Sequence, residues 1–258
     1  MHDTNDYYVK QKEESSLSGA RKVLYRPLSF FLIIVAIIII MSIFLKANVI
    51  EVEGNTLYTD EEIIAASGIN KGDNLFFINR IACGSRLVTK LPYVDEVSIT
   101  RQLPNKITIT IKESSALAYL EVDGEYWTLG SDGKLLGAVS NDDNAKVAKI
   151  IGLKLGNVPA AGDYIAPVDG EEEKAAYLIE ILQQIKGRKL TGEIGVIDMT
   201  DAKNPSFEYL NRFTVKLGPK DDTEYKFGKL ISAVGQLGAN DTGILDLSMG
   251  DTVTYNPN

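Results

Sequence analysis

Side chains that could do chemistry are few in this chain. It holds one cysteine, Cys83, and one histidine, His2. A histidine–cysteine metal site needs several such ligands converging on one ion. A Ser-His-Asp triad needs a histidine held in a folded frame, and His2 sits beside Met1 in a polar stretch. No Gly-rich loop followed by lysine is present to cradle a phosphate. With one cysteine, no intrachain disulfide forms either. Carboxylates are plentiful, as in Asp142-Asp143, Glu171-Glu172-Glu173 and Asp221-Asp222. Each group falls in a loop or at a helix start, where acids solubilise the chain or complement the helix dipole. They do not read as a glycosidase pair. Asp142, Asp143 and Asp163 lack the fixed spacing of a calcium loop. The residues predict a non-enzymatic chain without cofactor or metal.

The remaining means of recognition is the backbone. An exposed edge strand presents unpaired N–H and C=O groups to which a partner strand can add. Thr252 to Tyr255 is the candidate, with Val253 and Tyr255 facing one way and Thr252 and Thr254 the other. The strand closes the given sequence, so no following segment is expected to cover its outer side. The residues alone leave two readings side by side: a partner-binding edge, or an ordinary amphipathic terminal strand.

What positions these elements begins with Leu28 to Leu45, LSFFLIIVAIIIIMSIFL, a run without a charge. As a helix it spans roughly 27 Å at about 1.5 Å per residue, close to the apolar thickness of a bilayer. It is expected to be a single transmembrane helix. Arg21, Lys22 and Arg26 precede it with no acid between, so the positive-inside rule places residues 1–27 in the cytoplasm as a disordered polar tail. Everything after the run is then outside. Ser42 to Ala47 offers no small-x-small cleavage site, so an uncleaved anchor is expected. The chain carries 27 basic and 35 acidic residues. Its first 45 residues are nearly balanced, so the acidic excess belongs to the outer part. That argues against binding nucleic acid or adhering broadly to an anionic membrane surface.

Residues 46–115 read as strand, helix, helix, strand, strand. Val49 to Glu53 is a strand ending at the turn pair Gly54-Asn55. Thr59 with Glu62 forms a capping box, and Gly68 closes that helix. Asn79 caps a second helix, on which Ile81, Gly84, Leu87, Val88 and Leu91 are expected to share the buried face. Gly84 would allow close approach to the sheet, and Pro92 ends the run. Val97 and Ile99 alternate with polar residues, as do Ile107, Ile109 and Ile111, predicting a hairpin around Gln102-Leu103-Pro104-Asn105.

These residues carry a resemblance. VIEVEGNTLYTDEEI directly after a single span, then GINKGDNLFFIN, then LPYVDEVSITRQLPNKITITIKESSALAYL resemble a POTRA domain of the FtsQ/DivIB family of bacterial division proteins. The family's Leu-Pro-x-Val element matches Leu91-Pro92-Tyr93-Val94, and its Arg-x-x-Pro turn matches Arg101-Gln102-Leu103-Pro104. Of its Glu-Arg-x-Pro-x-Ala element Glu113 and Ala118 remain, while Ser114 and Ala116 stand where arginine and proline are common. No role tied to that arginine carries over.

Residues 116–258 read as a second mixed α/β domain with a largely antiparallel sheet. Strands are expected over Leu117 to Val122, Tyr126 to Leu129, Lys134 to Leu136, Ile150 to Leu153, Ile194 to Met199, Phe207 to Leu210, Phe213 to Leu217, Ile244 to Ser248 and Thr252 to Tyr255. One helix is expected from Glu171 to Gly187 and another from Thr223 to Gly238. The order resembles the β domain of the same family, and the whole is of the α+β class. The resemblance implies a divisome scaffold at the division septum that helps coordinate septal peptidoglycan synthesis. Its implied partners are FtsL- and FtsB/DivIC-like bitopic proteins, together with septal peptidoglycan synthase components. They would dock on the C-terminal strands through Leu245, Leu247, Thr252, Val253, Thr254 and Tyr255. The competing reading is a POTRA-type chaperone of a secretion or envelope-assembly system, which usually has several such modules and a barrel.

Overall fold

The structure is a computed structural model that describes residues 27–40, 44–140, 147–249 and 252–258. The tail with Arg21, Lys22 and Arg26, the acids Asp142 and Asp143, and Gly250-Asp251 of the last turn lie outside the described residues. Residues 27–40 form α1, exposed along nearly all its length. Residues 41–43 are not described, and Phe44 is again helical. Among the described residues no helix is long and apolar enough to cross a membrane. The expected span Leu28 to Leu45 is therefore seen as helix only in part.

The first module has the predicted order. β1 (Val49–Glu53), α2 (Asp60–Ser67), α3 (Arg80–Lys90), β2 (Val94–Gln102) and β3 (Lys106–Glu113) build a sheet in the order β1-β3-β2. β1 runs parallel to β3 and β2 antiparallel to it. The capping box is complete. Glu62 N–H donates to the Thr59 hydroxyl at 3.3 Å, and Thr59 N–H donates to the Glu62 carboxylate at 2.9 Å. Asn79 caps α3 by accepting from Ala82 N–H at 3.1 Å. The buried face of α3 keeps Leu87, with Val88 and Leu91 packed beside it as expected, but takes Cys83 in place of Ile81. Cys83 and Leu87, one turn apart, point into the core with Ile63, Leu75, Ile107 and Ile109, while Ile81 is 83% exposed. Ile81 and Cys83 both stand at helical spacing from Leu87, and only the turn through Cys83 lies over the core. Gly84 is not needed for close approach, since a Cβ there would stand 3.8 Å from Val97 Cγ1, an ordinary contact.

The second module is one nine-stranded sheet. Its strands are β4 (Ala118–Val122), β5 (Glu125–Leu129), β6 (Leu135–Val139), β7 (Ala148–Ile151), β8 (Ile194–Asp198), β9 (Ser206–Tyr209), β10 (Phe213–Lys216), β11 (Gly243–Asp246) and β12 (Thr254–Pro257). Their order is β12-β11-β10-β9-β8-β7-β4-β5-β6. Most neighbours are antiparallel, but β4–β7, β7–β8 and β10–β11 are parallel. Parallel neighbours need a crossover. Two of these are made by α4 (Glu172–Arg188) and α5 (Thr223–Val234). Both helices cover the same sheet face, where Leu178, Ile181, Phe227 and Leu230 meet Leu120, Ile197, Phe207, Val215 and Leu245. α4 runs through Gly187, the expected stop. Lys189 instead takes the left-handed conformation, φ 60°, as buried Leu190 donates its N–H to Ile185 O at 2.9 Å. α5 stops at Val234, before Gly238, whose N–H is taken by the Asp241 carboxylate at 2.7 Å.

The modules are joined by more than the chain. Lys134, only 5% exposed, reaches back to donate to the carbonyls of Val88 at 3.0 Å and Val94 at 3.4 Å. Burial pulls its ammonium pKa down, an effect partly offset by Asp132 and Asp95. Lys186 of α4 pairs with Asp95 of β2 at 3.1 Å.

Candidate partner-binding edge

The last strand lies at the outer edge of the nine-stranded sheet. It is displaced from the expected Thr252 to Tyr255 and spans Thr254–Pro257. Its position is set by pairing with β11, Tyr255 opposite Leu245 and Thr254 opposite Asp246. The Tyr255 hydroxyl donates to Thr242 O at 3.0 Å, and its ring meets Phe213 edge-on at 6.4 Å. Thr252 and Val253 thus precede the strand. As expected, Val253 and Tyr255 pack toward the core while Thr252 and Thr254 are exposed.

Leu245 and Leu247 are brought to the same place but inward. Both are fully buried in the core on the α5 side. Their side chains hold β11 on the helix and present nothing to a partner. That corrects the expectation for these two residues: alternation along β11 sends its odd-numbered positions into the core.

The phase of the ladder shows what β12 leaves free. Asn258 N–H donates to Thr242 O at 3.1 Å. On the far side of β11, Gly243 and Leu247 donate to β10 and its flank through Arg212 O and Lys216 O. In an antiparallel pair the bonded positions alternate. Thr254 and Asn256 therefore turn their backbone groups toward β11, and Val253, Tyr255 and Pro257 turn theirs outward. Pro257 has no N–H to offer, so a strand added here finds donors only up to Tyr255.

A groove runs beside this edge. Tyr225, Lys229 and Ser232 of α5 and Gln236 just beyond its end line it with Arg188 and Val253. Their spacing, four, three and four residues, is one helical face. That stripe is legible in the sequence on the side opposite Phe227 and Leu230. Arg188 donates to Glu224 O at 2.8 Å and Lys229 lies 4.3 Å over the Tyr225 ring. Arg212 donates to the carbonyls of Gly238, Ala239 and Asp241, fixing the loop between α5 and β11. At the other end of β11 burial works to raise the Asp246 carboxyl. The Ser248 hydroxyl at 2.6 Å and N–H at 2.9 Å outweigh it and hold the pKa below its ordinary value. Among the described residues no cluster of His, Cys, Asp and Glu could hold a metal ion. This place can offer backbone pairing along one strand and a groove of mixed polarity beside it.

Residues 45–114 match the family model described as POTRA domain, FtsQ-type. Cell division protein DivIB of Clostridium botulinum strain Hall is 25% identical over 262 residues, which cover 98% of this chain and 96% of that protein. DivIB of Bacillus subtilis strain 168 is 32% identical over 135 residues, 52% of this chain and 51% of that protein. Cell division protein FtsQ of Corynebacterium glutamicum is 26% identical over 170 residues, 64% and 75%. Over nearly its whole length the chain is similar to cell division proteins named DivIB, and residues 45–114 carry a POTRA domain of the FtsQ type. Its POTRA domain is the β1-α2-α3-β2-β3 module. Glu113, which ends β3, has a structural task there. Its carboxylate accepts from the backbone N–H groups of Thr56 at 3.0 Å, Leu57 at 2.9 Å and Tyr58 at 3.3 Å. Burial works against the charge, and these bonds with the Thr56 hydroxyl overcome it, leaving the carboxyl below the usual range.

Proposed function

We propose that the chain is a non-enzymatic scaffold of the division machinery, anchored by one span over Leu28 to Leu45. Arg21, Lys22 and Arg26 keep the N-terminus in the cytoplasm, and the POTRA and second domains stand outside at the septum. The β12 edge docks FtsL- and FtsB/DivIC-like partners and so helps coordinate septal peptidoglycan synthesis. One observation carries the docking site: Val253 and Tyr255 turn free backbone groups outward at the end of a nine-stranded sheet, beside a groove on α5. Pairing there would extend the sheet by one strand.

The test is co-purification of the partners with the full chain. Val253→Pro removes an outward N–H without touching the bonds to β11. Tyr255→Lys replaces the ring packed on Phe213 with a charge. Both variants should lose capture by at least about tenfold while keeping the circular dichroism of the parent. Undiminished capture by both would refute docking at this edge.

A further inference from the structure

The end of the POTRA domain opposite the second module carries an apolar patch that no described residue covers. Three segments meet there. Leu75 N–H donates to Leu45 O at 2.8 Å and Ala47 N–H to Asp73 O at 2.8 Å. Asn105 O, in the β2–β3 turn, accepts from Asn48 at 2.9 Å and Val49 at 3.1 Å. From this end project Phe76, Phe77 and Leu103, which are 50%, 78% and 62% exposed. The fold does not need them for its core, because their neighbours Leu75 and Ile78 are buried. Yet the loop is held firmly: Arg101 donates to the carbonyls of Phe76 and Ile78.

We propose that Phe76, Phe77 and Leu103 sit in the headgroup–acyl boundary of the bilayer from which the chain emerges, so that the POTRA domain stands on the membrane end-on. The inference rests on the reading of Leu28 to Leu45 as a span. Continuity of the chain argues for a lipid occupant. Leu45, the last residue of the apolar run, is itself bonded to Leu75, next to Phe76. No slack follows it, since Lys46 bridges to Asn74 and Ala47 is fully buried. A domain that begins its fold at the last residue of a span keeps this end at the interface, where aromatic side chains are favoured. Charge agrees. Lys46, Lys71, Arg101 and Lys106 belong to the three segments that meet at this end. Of the acids there, Glu51 pairs with Lys106 and Asp73 accepts from Asn70 N–H at 2.8 Å. Local cations of this kind are drawn to anionic headgroups, even though the outer part as a whole is acidic.

The experiment uses the full chain in liposomes of phosphatidylglycerol and phosphatidylcholine with brominated acyl chains. The only native tryptophan, Trp127, is buried in the second module and gives a constant background. Phe77→Trp should emit to the blue and lose most of its added fluorescence to bromine. Leu57→Trp, at the opposite end of the domain, should emit as in water and keep it. In pure phosphatidylcholine the quenching at position 77 should weaken. If Ile34→Trp is quenched and Phe77→Trp is not, the span stands and the end-on placement is wrong. Equal quenching at positions 77 and 57 would also overturn it. A position 77 shielded from water but untouched by bromine would show a protein cover instead of lipid, and would overturn it too. If Ile34→Trp itself escapes quenching, the span reading fails and takes this inference with it.

Discussion

Two strand edges in this molecule are managed in opposite ways. β2 closes one side of the POTRA sheet and β12 one side of the large sheet. β2 is the longer, nine residues against four, and a long open edge invites unwanted pairing. It is guarded. Its register shifts between Val94 and Glu96, and it carries Asp95, Glu96 and Arg101. Glu96 pairs with Lys112 at 2.7 Å and Asp95 with Lys186 at 3.1 Å. β12 has no charge, no register shift, and an outward run that stops at Pro257. One edge is closed to strands by charge and irregularity. The other is left open over a short stretch. The difference supports the proposed docking at the second module, and each of the following variants bears on it.

The largest effect should come from the layer beneath the open edge. Leu245 sits opposite Tyr255 but is fully buried. Leu245→Ala should cost about 2–5 kcal/mol, the transfer term plus the cavity left behind, read as a lowered midpoint in denaturant. Val253→Pro should leave that midpoint nearly unchanged and lose partner capture. The reverse outcome, a stable Leu245→Ala that fails to bind, would mean that the two strands of this edge exchange their assigned roles.

How much of this contrast the residues announced differs between the modules. In the POTRA domain the succession strand, helix, helix, strand, strand, the Thr59–Glu62 box and the Asn79 cap were all legible, because each is a local signal confirmed within a few residues. The face of α3 was legible only through Leu87, Val88 and Leu91. Ile81 and Cys83 both belong to apolar stripes, and only contact with β1 to β3 decides between them. In the second module the strands were placed within one to three residues, yet their order was hidden. β7 finds β4 across the β5–β6 hairpin, and a pairing at such separation leaves no mark in local periodicity. The last strand lies two residues later than expected, since its register depends on Tyr255 reaching Thr242. Resemblance to a region names Leu245 and Leu247 among the partner-binding residues, and a region has two faces.

A smaller effect tests how the guarded edge is framed. Glu113 lies opposite Val94, where the β2 register shift begins, and ties this end of the sheet to the loop at Thr56 to Tyr58. Glu113→Gln keeps the shape but loses charge-assisted bonds, which should lower stability by about 1–2 kcal/mol at neutral pH. The folded pKa lies below the unfolded value of about 4.3. The contribution of the carboxylate is therefore fully present above that value and disappears as pH falls through the lower, folded pKa. Parent and variant should converge in strong acid when their denaturant midpoints are compared across pH. A gap that persists there would assign the effect to shape and not to charge.

The smallest effect in stability is the most direct probe of the guard. Glu96 and Lys112 are both largely exposed, and pairs of that kind contribute little to folding. Glu96→Val should leave the unfolding midpoint almost where it was, yet it replaces a charge on a free strand with a β-branched apolar residue that favours pairing. Sedimentation of the detergent-solubilised chain should then show weak, concentration-dependent association that the parent lacks, and a second substitution, Val253→Pro, should not relieve it. Relief by Val253→Pro would place the new contact at β12. If the Glu96→Val chain stays monomeric, the register shift at Val94 closes β2 by itself, and charge plays no part in separating the two edges.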